Sequence, residues 1–251
     1  MFLPLREGTK LAKKKGLKQC ALLIDPDKAA DGYLEGLAQQ ADRARPDYLL
    51  VGGSLLTEGA MAPALEKCRS LFPQCPLVLF PGNTLHIHPA ADAVLFLSLI
   101  SGRNPEYLIG QQVQAAPLLR KTRLEVVPTG YMLVDCGKTT TAHYMSNTLP
   151  IPYDKPELAA CTALAGQLLG MHLVYLDGGS GAPKPVAPAM IAQVAQWLEI
   201  PLWVGGGIRE ADQAATAYQA GADCLVIGTA VENQTDTLSA ICAVRDGFNQ
   251  L

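Results

Sequence analysis

Two glycine-rich segments near the end of the chain carry the strongest physical signal for chemistry: Val204-Gly205-Gly206-Gly207-Ile208-Arg209 and Val226-Ile227-Gly228-Thr229-Ala230-Val231-Glu232. Successive residues without side chains expose backbone N–H groups, and Thr229 adds a hydroxyl, a combination that cradles a phosphate. Neither segment is a Walker loop, and no G-x-G-x-x-G stands where a dinucleotide fold needs it. Tyr175-Leu176-Asp177-Gly178-Gly179-Ser180-Gly181-Ala182 offers another anion loop, with Asp177 placed to act as a general base for a hydroxyl. The competing reading there is a flexible turn with a capping Asp. Asp25, in Ile24-Asp25-Pro26-Asp27-Lys28, is a hard oxygen donor suited to Mg²⁺ or a substrate cation. A turn carboxylate, or a helix N-cap at Asp27, is the alternative. Gly52-Gly53-Ser54 allows close backbone approach, and its hydroxyl suits a metal or a phosphate as well as a plain turn. Lys138, Thr139, Thr140, Thr141 and His143 read as a solvated loop, with a lid or acceptor-binding surface as the other choice.

These segments fall just after short apolar runs. The runs are Cys20–Asp25, Asp47–Val51, Leu77–Phe80, Ala93–Leu97, Leu124–Val127, His172–Leu176, Leu202–Val204 and Cys224–Ile227. Continuous apolar runs of this length suit strands buried on both faces. Ala-, Leu- and Gln-rich stretches between them predict helices at Leu34–Arg45, Pro105–Leu119, Lys155–Leu169, Pro188–Leu198 and Glu210–Ala220. Regular alternation of strand and helix predicts a parallel sheet with helical crossovers. At 251 residues, eight units would take about 31 residues each, the size expected of a single (β/α)8 TIM-type barrel domain spanning the chain. In such a barrel the loops after strands face the rim where sites form, and those after strands seven and eight commonly hold phosphate. Two intervals break the rhythm. Pro81, Gly82, Asn83 and Pro89 spoil any helix between runs three and four, so the third helix is expected to be missing or replaced by a loop. The stretch from Thr129 to Pro156 is long and polar, the mark of a functional or mobile connection.

Composition removes several classes. A 49% hydrophobic chain with 17% charged residues has ample material for a core and is not intrinsically disordered. Net charge is −3, so no global basic field exists to hold nucleic acid. No apolar run approaches the ~18 residues of a spanning helix, and the basic segment Met1–Lys18 does not read as a signal peptide. The 7 cysteines are widely spaced without C-x-x-C, and read as reduced structural thiols of a cytoplasmic protein; the 4 histidines show no metal spacing. Trp203, inside run seven, reads as barrel or subunit packing.

Taken together, Asp25-Pro26-Asp27-Lys28, Gly52-Gly53-Ser54, Phe80-Pro81-Gly82-Asn83, Tyr175 to Gly181, Gly205-Gly206-Gly207-Ile208-Arg209 and Gly228-Thr229-Ala230 resemble, in order, the motifs of geranylgeranylglyceryl phosphate synthases and their bacterial relatives, heptaprenylglyceryl phosphate synthase among them. The resemblance spans Asp25 to Glu232. Ile151-Pro152-Tyr153-Asp154-Lys155-Pro156-Glu157 and Gly166-Gln167-Leu168-Leu169-Gly170 are similar to the larger, archaeal and bacterial branch. It implies a barrel lacking a regular third helix. It also implies Mg²⁺-dependent transfer of a geranylgeranyl or similar group from prenyl diphosphate to the sn-3 hydroxyl of sn-glycerol 1-phosphate, giving an ether-lipid precursor. By position, Asp25 and Ser54 would hold Mg²⁺. Tyr175, Leu176, Asp177, Gly178, Gly179, Ser180, Gly181, Gly206, Gly207, Gly228 and Thr229 would bind glycerol phosphate, with Asp177 and Tyr175 catalytic. Dimers or hexamers and transient membrane contact are implied too. The chain departs from the family at Asp177, where Glu is usual, and a base set back by about 1 Å can cost ~10²-fold in rate. Two other readings remain open: another phosphate-binding barrel isomerase or lyase, with Asp25 as second acid or base, and a non-catalytic phosphate- or lipid-binding relative.

Overall fold

The computed structural model describes residues 2–29, 32–41, 45–233 and 236–250. Its strands are β1 (Gln19–Ile24), β2 (Tyr48–Gly53), β3 (Leu77–Pro81), β4 (Ala93–Leu99), β5 (Glu125–Leu133), β6 (Leu173–Asp177), β7 (Leu202–Gly205) and β8 (Cys224–Ile227). All neighbours pair in parallel, and β8 returns to β1 through Gln19↔Cys224 and Leu22↔Ile227, closing the barrel. The helices are α1 (Leu5–Lys14), α2 (Tyr33–Ala41), α3 (Met61–Leu71), α4 (Gln111–Leu119), α5 (Thr141–Ser146), α6 (Pro156–Leu168), α7 (Pro188–Trp197), α8 (Ala211–Gln219), α9 (Thr229–Asn233) and α10 (Thr237–Asn249).

Side-chain alternation along each strand makes two cores. Tyr48 and Leu50 of β2 point into the barrel with Val78, Leu95, Leu173 and Trp203, while Leu49 and Val51 point outward against the helical layer. Trp203 stacks on Tyr48 inside the barrel, ring centroids 5.7 Å apart, as its place in a buried strand requires. Helix α1, which the sequence pattern did not single out, lies against the opposite end from the strand-end loops. The Glu125 carboxylate at the start of β5 accepts from the backbone N–H groups of Leu5 and Arg6, the latter at 2.9 Å, and meets the positive end of α1.

Between β3 and β4 there is only a 3-10 turn, Thr84–His86, in place of a crossover helix. Asn83 starts it by accepting from Leu85 N–H at 2.9 Å, and buried His86 accepts from Gly82 N–H through Nδ1 at 3.0 Å. The proton of a neutral His86 then sits on Nε2, and burial pushes its pKa below the ordinary value.

Several expected boundaries shift. Strand β5 runs on through Pro128 to Leu133, so Thr129–Leu133 is strand and not loop. Pro128 lies within this strand, although proline within a run ordinarily argues against a central strand. Helix α2 ends at Ala41, and positions 42–44 of the predicted helix lie outside the described residues. The predicted Pro105–Leu119 helix opens with a π-helical turn, Glu106–Gly110.

Candidate functional site

The rim at the C-terminal ends of the strands gathers most of the motifs. One polar cavity is walled by Asp25, Gly53, Ser54, Tyr175, Asp177, Gly179, Ser180, Gly181, Gly206, Gly207, Gly228 and Thr229. Leu176 and Gly178 do not reach its wall. Strand alternation turns Leu176 outward into the helix-facing core, and the Gly178 N–H is spent on Gly205 C=O at 3.0 Å. The cavity takes in Phe80, Thr141 and Arg209 from the motifs already named, and it also has walls that the sequence did not announce, among them Tyr131 and Ala142. Tyr131 was hidden by the apparent end of run five. The renewed apolar run Tyr131-Met132-Leu133-Val134 was the available signal.

The anion end is built from the β6, β7 and β8 loops. Gly206 has φ +82°, a left-handed conformation, and a Cβ on it would sit 2.7 Å from Gly179 N and 2.8 Å from Gly178 N. Only glycine lets the β7 loop lie this close to the β6 loop. Ser180 and Thr229 hydroxyls meet at 3.1 Å, tying the β6 and β8 loops. The Arg209 guanidinium donates to Ala182 C=O at 2.6 Å and Pro183 C=O at 3.1 Å, fixing the β6 loop from behind.

Asp177 ends β6 with little exposure. Its Oδ1 accepts from Gly179 N–H at 2.7 Å, and its Oδ2 accepts from the Tyr131 O–H at 2.6 Å. Burial raises the Asp177 pKa, while the Tyr131 and Gly179 donors and nearby His143 pull the other way. A raised pKa makes the carboxylate a stronger base for a hydroxyl proton. Burial lifts the Tyr131 and Tyr175 phenols well above their ordinary value, so both stay protonated.

Asp25 and Ser54 stand on adjoining strand ends. A Cβ on Gly53 would lie 3.9 Å from Asp25 Oδ1, so the small residue keeps the space beside the carboxylate open. Asp25 Oδ1 also accepts from Asp27 N–H at 3.1 Å. Among the described residues no group of three or more His, Cys, Asp or Glu side chains could hold a metal alone. One carboxylate and one hydroxyl facing an anion cradle nevertheless fit Mg²⁺, which takes one or two carboxylates and completes its shell with phosphate oxygens and water.

Asp27 is not a helix N-cap; Asp25 holds that place on the short turn Pro26–Lys28. The Asp27 carboxylate accepts from Thr57 N–H and Oγ1–H, both at 2.8 Å, Glu58 N–H at 3.2 Å and Gly59 N–H at 2.6 Å, latching the loop after β2. Desolvation opposes ionisation, yet these donors win and bring its pKa down to about 2. Its stabilisation is therefore present above the unfolded-state pKa and is lost as pH falls from about 4 toward 2. Asp27→Ala is expected to lower stability by about 1–2 kcal/mol, the modest end for charge-assisted bonds because the latch faces solvent. Chemical denaturation at pH 7 and pH 3 checks it: the difference from the parent should shrink at pH 3.

The Thr139–Thr141 run is not simply solvated. Thr140 and His143 are buried and form a reciprocal N-terminal box on α5, with Thr140 N–H donating to His143 Nδ1 at 3.1 Å. Thr141 and Ala142 thereby reach the cavity wall.

A second cavity is mostly apolar. It is walled by Val94, Leu95, Leu97, Tyr107, Ala115 and Met145, and by Pro81 to Thr84 and Ile87 of the helix-free connection. It shares Gly53, Ser54, Phe80, Tyr131 and Ala142 with the polar cavity, so the two adjoin through common walls.

A closed (β/α)8 barrel whose glycine-rich loops after strands six to eight wall a polar cavity, with an apolar cavity beside it, defines a TIM-type barrel protein with its site at the C-terminal rim. The PcrB family model matches residues 13–245, and the chain belongs to that family. A geranylgeranylglyceryl phosphate synthase of Spirosoma linguale is 50% identical over 238 residues, covering 95% of each chain. One from Chitinophaga pinensis is 47% identical over 226 residues, covering 90% of this chain and 89% of the relative. The crystal structure of (S)-3-O-geranylgeranylglyceryl phosphate synthase from Thermoplasma acidophilum, in complex with substrate sn-glycerol-1-phosphate, superposes with a TM-score of 0.88 at 33% identity over 100% of both chains.

Proposed function

We propose that this chain is a prenyltransferase that joins a geranylgeranyl or similar group from a prenyl diphosphate to the sn-3 hydroxyl of sn-glycerol 1-phosphate. The observation that carries the reading is the shared wall between the two cavities. An isomerase or lyase acting on a small phosphate needs the polar cavity alone; a prenyl transfer needs both, meeting at the reacting atoms.

In this reading Gly206, Gly207, Gly228 and Thr229 hold the acceptor phosphate with N–H and hydroxyl donors, joined by Ser180 and Gly181. Tyr175 lines the acceptor's path. Asp177 takes the hydroxyl proton as the alcohol oxygen attacks C1 of the prenyl chain. Fixing that oxygen against C1 supplies much of the rate. Asp25 and Ser54 would hold Mg²⁺, which when bound offsets the charge gathering on the departing diphosphate. The tail lies in the apolar cavity. Ala115→Phe, a buried site on its wall, is expected to shift preference from a C20 donor toward C15 or C10 by about tenfold in relative kcat/KM, at ~1–3 kcal/mol of stability for overpacking. Competition between donors of different length measures it, and an unchanged preference would place the tail elsewhere.

A homo-oligomer, dimer or hexamer, belongs to this proposal, supported by exposed Leu168, Leu169 and Trp197 along α6 and α7. So does a cytoplasmic enzyme with transient membrane contact, supported by exposed Leu85, Ile109, Tyr144 and Leu149. No helix among the described residues is long and apolar enough to cross a membrane.

The test is a radiolabelled glycerol phosphate assay with Mg²⁺ and geranylgeranyl diphosphate, run with both acceptor enantiomers and with EDTA. Extractable product from the sn-1 enantiomer alone, abolished by EDTA, is expected. No product with shorter or longer donors either would sink the proposal.

A further inference from the structure

The carboxylate of Asp177 is already engaged at both oxygens. Oδ1 holds the Gly179 N–H and Oδ2 holds the Tyr131 O–H, and the side chain is only 7% exposed. Tyr131 belongs to the walls of both cavities, whereas Asp177 belongs to the polar one alone. The Tyr131 ring is held in place from two sides, edge-on to Phe80 at 5.8 Å and tilted against Tyr175 at 5.5 Å. Its register partner on β6 is Tyr175, two residues before Asp177, so the strand pairing itself carries the phenol to the carboxylate.

We propose that Tyr131 is a second catalytic residue, a phenol standing between the acceptor hydroxyl and Asp177 that passes the proton from one to the other. The inference rests on the prenyl-transfer reading above and deepens it. As the acceptor oxygen bonds to C1, the C1–O bond to the diphosphate breaks and the diphosphate leaves with the electron pair. The hydroxyl proton moves to the Tyr131 oxygen while the Tyr131 proton moves to Asp177 Oδ2, and Asp177 later returns it to solvent. Two protons move and no net charge is left on the phenol. A concerted exchange is required here, because the buried phenol resists becoming a free phenolate. The arrangement also puts the proton acceptor where the two cavities adjoin, beside the position C1 must occupy.

Two measurements test it. In the first, single-turnover rates of the unmodified enzyme are followed in mixtures of H₂O and D₂O. A bowed dependence on the deuterium fraction is expected, since two protons move in the chemical step. A straight line means one proton and overturns the relay. In the second, Tyr131→Phe keeps the ring contacts and removes only the phenol oxygen. It is expected to lower kcat by about 10²–10³ while KM for glycerol phosphate changes less than about threefold. In an Asp177→Glu background the acid reaches one methylene further, and the same Tyr131→Phe change is expected to cost under about tenfold. Equal losses in both backgrounds would mean that the phenol only steadies the carboxylate, and would overturn the proposal. If the unmodified chain makes no product with any donor, the prenyl-transfer reading itself fails, a different result from an active enzyme indifferent to Tyr131.

Discussion

Asp177→Asn is expected to reduce kcat by about 10²–10⁴ while leaving glycerol phosphate binding nearly intact, because it removes a proton acceptor and keeps the side-chain volume. The amide can still accept from Gly179 N–H through its oxygen, so the β6 loop keeps its shape. It cannot take a proton from a hydroxyl at any pH of interest. Rapid-quench turnover, with acceptor binding followed separately by calorimetry, distinguishes loss of chemistry from loss of substrate. The pH profile of the unmodified enzyme gives a related check. Asp177 must be ionised to act, and burial raises its pKa above the ordinary carboxylate value. The acid limb of kcat/KM should therefore lie above the ~3.9 of a free Asp, and activity should fall as pH drops through it. An acid limb at or below 4 would remove Asp177 from the role of base.

The second large effect is expected at Gly206. A methyl group there would meet the backbone of Gly178 and Gly179 at 2.7–2.9 Å, and the residue has φ +82°. Backbone strain of this kind costs about 1–3 kcal/mol before the clash is counted, and relief can come only by separating the β6 and β7 loops. Gly206→Ala is expected to raise KM for glycerol phosphate by tenfold or more and to lower Tm by several degrees. Gly247→Ala is the control. It lies in α10 with open space around it, and the change there should leave KM unaltered and stability equal or slightly higher. Equal behaviour of the two variants would show that the glycine cradle does not hold the acceptor.

Most of the barrel was legible because buried parallel strands are apolar on both faces. Runs such as Cys20–Asp25 and Cys224–Ile227 announce themselves without any partner. The missing third helix was legible for the same kind of reason, since Pro81, Gly82 and Pro89 are incompatible with one. Glycines at strand ends marked the anion cradle. What stayed hidden depended on contacts between distant segments. Asp27 looked like a local helix N-cap, yet its partners are 30 to 32 positions away. Leu176 sat within a functional motif but faces the helices, a fact fixed by strand alternation. Tyr131 lay beyond a proline that appeared to end its strand, and its hydroxyl meets a residue 46 positions later. Helix α3 escaped because Ala60 at its N-cap offers no side-chain cap, leaving little to set its start apart from a loop.

The helix-free connection between β3 and β4 has a consequence for how the two halves of the site can change. Among the described residues the other strand-to-strand connections carry helices against the barrel's outer face, and a new residue there must fit a packed layer. In this one sector part of the wall of the apolar chamber is a short turn braced by Asn83 and His86, and that turn shares no residue with the β6 to β8 loops. Lengthening or trimming the turn alters the chamber's depth and mouth while the phosphate cradle, on the far arc of the ring, keeps its geometry. Tail selectivity and headgroup recognition are thus separable inheritances within one barrel, each free to drift at its own pace.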